Sequence, residues 1–172
     1  MKIGIDVSNS CCGLAISDNK KIINAVALDI SKEESYDGKA NIIIKQINEW
    51  LVIYGDVITD FNIEGALNAF AFGKTNAHTM IMLIKTNAVI TYILSKKYPN
   101  IKINSLNMNS ARKQLFGKCR IKGIKSKLFV KMMIESTNPE IKQFYLSMTS
   151  KRCKKENKMN EDVRDSGVMA LA

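Results

Sequence analysis

The chain has one histidine, His78, and four cysteines that form no framework. Cys11 and Cys12 are adjacent while Cys119 and Cys153 stand alone, so neither a CxxC pair nor a Cys/His zinc spacing exists and a structural zinc is not expected. The thiols read as small, mostly buried apolar side chains of a reducing compartment. Missing too is any run of about 18 uncharged apolar residues that would span a bilayer. Met1 leads straight into a strand-like segment rather than a signal peptide. The expectation is a soluble cytoplasmic protein (in a bacterial cell or a virus-infected host cell) with no membrane partner and no small-molecule cofactor. At 172 residues the chain is too short for a duplicated two-lobed ATPase and suits one domain, 1–172.

Acid is also scarce, with 16 Asp and Glu against 26 Lys and Arg, a net charge of +10. The imbalance is local. Residues 109–158 carry 14 Lys and Arg against three Glu, which is +11, so the remainder is close to neutral at −1. A basic third joined to a neutral body favours a polyanionic partner, although a solvated lysine-rich face has the same composition. Hydrophobic residues at 46% support a packed core.

Short β-rich runs at 2–7, 12–17 and 21–28, separated by turns at 8–10 and 18–20, predict a three-strand meander. Helical spacing of Ile43, Ile44, Ile47, Trp50 and Leu51 predicts a helix over 40–54, stopped by Gly55. A strand over 57–64 and a loop over 65–73 follow. The next helix, about 75–96, is apolar around much of its circumference. Met80, Leu83, Ile84, Ile90 and Ile93 make it either a dimer element or intradomain core. Pro99 precedes a strand at 101–106, and Asn109 or Ser110 is a candidate cap for a short helix through 115. A basic turn at 117–123, a helix over 125–135, a weakly patterned stretch to 158 and a helix from 161, capped by Asn160, complete the chain. This order predicts an α/β or α+β domain with a mixed sheet.

Four carboxylates stand out. Asp6 lies inside an apolar strand with no local ionic partner, and a bare carboxylate retained there usually coordinates a cation or accepts strong hydrogen bonds. Glu64 ends a later strand. If the two strands are parallel neighbours, both acids meet at one sheet edge, where open α/β sheets bind ligands. Asp162 and Asp165 share a helix face through i, i+3 spacing. Hard oxygen donors with no His or Cys suit Mg²⁺ or Mn²⁺. Singly, each has a plainer reading: Asp162 as a partner of the helix dipole, Glu64 as a turn residue, Asp6 as the cap of a neighbouring turn.

Together the blocks IDVSNSCCGLAISD, NIEGALNAFAFGKTNAHTM, SLNMNSARKQLFGKCRIKGIKSKLFV and EDVRDSGVMALA resemble, in order and over nearly the whole chain, the RuvC-type Holliday junction resolvases of the RNase H-like superfamily, especially their phage and large-virus forms. The resemblance implies an RNase H-like α/β fold: a mixed five-stranded sheet, with a three-strand antiparallel meander plus two parallel strands, flanked by helices. It implies a crossover junction endodeoxyribonuclease, a homodimer cutting branched DNA at four-way junctions in recombination, repair or viral genome processing. Asp6, Glu64, Asp162 and Asp165 would hold two Mg²⁺ ions, with Mn²⁺ substituting. Either Lys127 or Lys125 would be the active-site lysine. Phe70 or Phe72 would stack on bases or else pack in the core, with Lys74 nearby on DNA. Arg112 and Lys113 would contact phosphate, and Lys118, Arg120, Lys122 and Lys125 would grip the backbone. Two other readings belong to the same resemblance: a non-catalytic junction binder, or a nuclease acting on flaps or RNA–DNA hybrids. The chain departs from the family pattern at Arg164, between the late aspartates, at Ser166–Gly167, and in a basic insertion around 149–158.

Overall fold

Alternation gives the strand Lys2–Val7 two unlike faces: Ile3, Ile5 and Val7 on one, Gly4 and Asp6 on the other. A computed structural model describes residues 1–65, 77–145 and 159–172. In it this strand, β1, is the centre of a five-stranded sheet ordered β3-β2-β1-β4-β5. β2 (Cys11–Asp18) and β3 (Lys21–Asp29) continue from it as an antiparallel meander, while β4 (Asp60–Glu64) and β5 (Lys102–Leu106) run parallel to it on the other side. The predicted fold class is therefore the observed one.

Helices cover both faces. Ile3, Ile5, Leu14, Ile16, Phe61 and Ile63 pack against Ile43, Ile47 and Trp50 of α1 (Tyr36–Tyr54) and Ile90 and Leu94 of α2 (Ala77–Lys97). The opposite face carries α5 (Met159–Leu171), flanked by α3 (Met108–Phe116) and α4 (Ser126–Thr137), in a second cluster that includes Ala15, Phe129, Ile134, Val163 and Met169.

Several boundaries differ from the sequence reading for local reasons. α1 starts four residues early because Ser35 Oγ accepts the Gly38 N–H at 3.0 Å, a serine N-cap. A 3₁₀ turn over Gly55–Val57 shortens β4 at its start. The cap of α3 is Asn107 rather than Asn109 or Ser110, since its Oδ1 accepts from both of their N–H groups at 3.0 and 3.2 Å. A second 3₁₀ segment, Pro139–Phe144, lies in the stretch expected to be unpatterned, and Asn160 is a buried residue within α5 rather than its cap.

α2 is long and apolar enough, by length and composition alone, to cross a membrane, although Lys85 interrupts it. It packs along α1, with the Tyr98 hydroxyl just beyond its end donating to Asn48 Oδ1 at 2.6 Å. Of the residues that left it either a dimer element or intradomain core, Met80 and Ile90 are buried within the chain, as the second alternative has it. Ile84 is exposed, with Ile81 and Tyr92.

Candidate active site

The site is assembled by close approach of α5 to the sheet, and two glycines permit it. Gly4 of β1 and Gly13 of β2 lie on the face under α5. A Cβ on Gly4 would fall 2.0 Å from the Ser166 carbonyl oxygen, and one on Gly13 would fall 2.1 Å from that of Asp162. Any side chain at either position would lift the helix. Asp6 is directly opposite Gly13 in the antiparallel ladder, so the same contact that seats the first turn of α5 brings it over Asp6. Lower down, Asn62 Nδ2 donates to Met169 O at 2.8 Å and Ser17 Oγ to Ala170 O at 2.5 Å, satisfying carbonyls that the end of a helix leaves without intrahelical partners. Gly167, a departure from the family pattern, faces Ile22 Cδ1 and Ile141 Cδ1, which a Cβ there would approach to 2.9 and 3.1 Å.

Glu64 ends β4 beside Asp6, one step beyond the Ile5–Ile63 pair of the parallel ladder. Its carbonyl accepts from Asn87 Nδ2 of α2 at 2.6 Å, and the next residue, Gly65, donates its N–H to Leu106 O at 2.8 Å, so the strand end is pinned. Asp6 is 8% exposed. Its carboxyl is held well above the ordinary carboxylate range, first by burial, then by the charges of Asp165 and Glu64, a hydrogen bond with the Glu64 side chain, and the charge of Asp162. Burial likewise raises Asp165, opposed by Arg112 and reinforced by Glu64 and Asp162. All four predicted acids therefore meet at one end of the sheet. The Cys11 thiol adjoins them; burial and a hydrogen bond to Asp162 push its pKa up, leaving it an unreactive thiol.

The donor set is carboxylate oxygen, which fits a hard divalent cation. Two carboxyls within hydrogen-bonding distance are tolerable only with a proton or a cation between them. Among the described residues no three Asp, Glu, His or Cys side chains already converge as a preformed cage.

Of the two candidate lysines, Lys127 is the one beside the acids. Its ammonium pairs with Glu161 of α5, and it shares a shallow depression with Val130, Arg164 and Asp165. Lys125 is the exposed residue preceding α4. Arg112 differs from its expected phosphate role. It is buried, donating to Asp165 Oδ1 at 3.1 Å and to Ser126 Oγ at 2.7 Å. Arg164 is buried as well, 3.9 Å from Glu135 and stacked 5.3 Å from the Tyr145 ring centroid. Lys113, Lys118, Arg120, Lys122 and Lys125 are exposed, and no acid interrupts the chain between Asn109 and Ile134. Phe70, Phe72, Lys74 and the insertion at 149–158 lie outside the described residues. A separate cavity of about 520 Å³ opens at the opposite end of the β1–β2 pair, lined by Lys2, Ser17, Lys20, Gln114 and Ala172, and contains none of the four acids.

No family model and no curated protein matches the sequence. Solved structures do. Thermus thermophilus RuvC aligns over 99% of this chain and 90% of its own, at 14% identity and a TM-score of 0.57. The same organism's RuvC in complex with a Holliday junction substrate aligns over 99% and 89%, at 11% identity and a TM-score of 0.60. The yeast mitochondrial Holliday junction resolvase Ydc2 aligns over 99% and 75%, at 14% identity and a TM-score of 0.57. With the mixed sheet and the crossing of α5 described above, these likenesses give the chain the RNase H-like fold of the RuvC-type resolvases.

Proposed function

We propose that the protein is a divalent-metal-dependent, structure-selective DNA endonuclease that resolves four-way junctions. What supports this reading is that Glu64 ends β4 beside Asp6 of β1, and that Asp162 and Asp165 of α5, from the other end of the chain, lie near enough for their charges to raise the buried Asp6 carboxyl. The four carboxylates would hold Mg²⁺ or Mn²⁺, two ions per site. Bound there, the metal supplies an activated water and neutralises charge on the leaving 3′ oxygen of a phosphodiester.

The remaining roles belong to the chain's own groups. The side chain of Lys127 is 63% exposed and paired on one side with Glu161, so its ammonium is open to a phosphate oxygen arriving next to Asp165. A compact ammonium suits that task, because charge on a phosphate is neutralised by a point cation without a fixed fork geometry. Lys113, Lys118, Arg120, Lys122 and Lys125 bind backbone phosphates without reading bases, so affinity falls steeply with salt. Two cuts on opposing strands of a junction require two sites related by a two-fold axis. The exposed Ile81, Ile84 and Tyr92 of α2 support a homodimer through that helix.

The deciding experiment is cleavage of a synthetic four-way junction beside plain duplex, a flap and an RNA–DNA hybrid, with Mg²⁺ and with EDTA. The account expects Mg²⁺-dependent cutting of the junction in preference to the others. Asp6→Asn should lose that cutting while keeping junction binding in Ca²⁺. Cleavage by Asp6→Asn at the wild-type rate would sink the mechanism.

A further inference from the structure

In a stretch of eight Lys and Arg without an acid, residues 109–134, one guanidinium turns inward. The side chain of Arg112 is 10% exposed, against 22% for its partner Asp165. One terminal nitrogen donates to Asp165 Oδ1 at 3.1 Å, the other to Ser126 Oγ at 2.7 Å, and Nε is buried with no hydrogen-bond partner. An arginine that served only to tie α3 and α4 to α5 would bury a charge and an unsatisfied donor at a net disadvantage, since apolar packing does the same with no desolvation penalty. A full positive charge is useful here for another reason: it faces a cluster of carboxylates that repel one another.

We propose that Arg112 is a resident counter-cation of the acidic pocket, a positioning residue that neutralises and orients Asp165 when no metal is bound and competes with a divalent ion for that carboxylate. The inference rests on reading the four acids as a cation site. It predicts opposite effects of losing the charge: a less stable metal-free protein and a tighter metal site. A purely structural tie predicts losses in both.

The test is calorimetric titration of Mn²⁺ at pH 8 into wild type, Arg112→Met, Arg112→Gln and Arg112→Lys, with thermal melting of each in EDTA and in saturating Mn²⁺. Removing one unit charge a few ångströms from a dication should tighten Mn²⁺ binding by on the order of tenfold, even with strong solvent screening. Arg112→Met should therefore bind more tightly, melt lower in EDTA and gain more from Mn²⁺ than wild type. Arg112→Gln keeps an amide donor for Asp165 and gives the same reading if the Met variant does not fold. Arg112→Lys, which keeps the charge, should stay near wild-type affinity. Met and Gln variants that bind Mn²⁺ no more tightly than a binding-competent wild type overturn the counter-cation role alone. A wild-type protein that takes up no Mn²⁺ overturns the cation site itself and this inference with it.

Discussion

The two faces of the sheet are built from the same strands and differ in almost every physical respect. Under α1 and α2 the alternating positions are Ile3, Ile5, Leu14, Ile16, Phe61 and Ile63, all buried among other apolar side chains. Under α5 the intervening positions are Gly4, Asp6, Gly13, Ala15, Asn62 and Glu64. One face has large side chains that fill space; the other has small ones that let a helix backbone descend to the strands, and acids where that helix begins. The period-two alternation of a strand allows this division of labour, because adjacent residues never compete for the same environment. The first face supplies stability, and the second gives up some of it to gather like charges.

Substitutions one residue apart on β1 should separate the two roles. Ile5→Ala opens a cavity in the apolar face and should lower stability by about 2–5 kcal/mol in denaturant unfolding, with the folded fraction keeping its affinity for Mn²⁺. Asp6→Asn removes a buried carboxylate that repels its neighbours, so it should raise the melting temperature in EDTA while abolishing junction cleavage. Equal destabilisation by both would erase the distinction between the faces.

Gly13→Ala should injure both functions at once. Its Cβ would fall 2.1 Å from the Asp162 carbonyl oxygen, so α5 must shift. A loss of about 1–3 kcal/mol is typical of such overpacking, and Mn²⁺ affinity should fall with it. A variant with unchanged melting and metal binding would contradict the close helix seating from which the site is built.

A smaller effect is the pH dependence of the metal-free protein. Asp6 has a folded pKa above its unfolded value, so the native state binds the extra proton and stability falls as pH rises. The loss begins above the ordinary carboxylate pKa and is complete once pH exceeds the raised folded value, the reverse of an ion-paired Asp. Melting in EDTA across that interval should show the decline in wild type and a weaker one in Asp6→Asn. A flat wild-type profile would contradict the crowding of charges. Smallest of all, Lys118→Ala and Lys122→Ala should each reduce the slope of log affinity against log salt by about one, with little change in cleavage of bound junction.

The sequence made the outline of this site readable because its signals are anomalies. Asp6 is a carboxylate inside an apolar run, Glu64 ends another strand, and the spacing of Asp162 and Asp165 fixes a helix face. The meander and the two later strands were also legible, since β-rich runs bounded by turn residues need little tertiary information. What could not be read is which way long side chains turn. Arg112 sits in a basic segment and by composition belonged with its exposed lysines; only packing of α3 against α5 sends it to Asp165. Arg164, a departure from the resolvase pattern, is buried against Glu135 and Tyr145, which lie about twenty to thirty residues earlier in the chain. That Lys127 pairs with Glu161 while Lys125 stands exposed ahead of the helix likewise depends on helix phase, as α4 begins one residue after Lys125. The cap of α3 was missed by two or three residues because Asn107, Asn109 and Ser110 are all competent caps by residue type.

The most direct test of the central claim is anomalous scattering from crystals soaked in Mn²⁺. The account predicts manganese peaks between Asp6, Glu64 and the Asp162/Asp165 turn of α5, lost in crystals of Asp6→Asn. Crystals that diffract well and show manganese elsewhere, or none at these carboxylates, would contradict it.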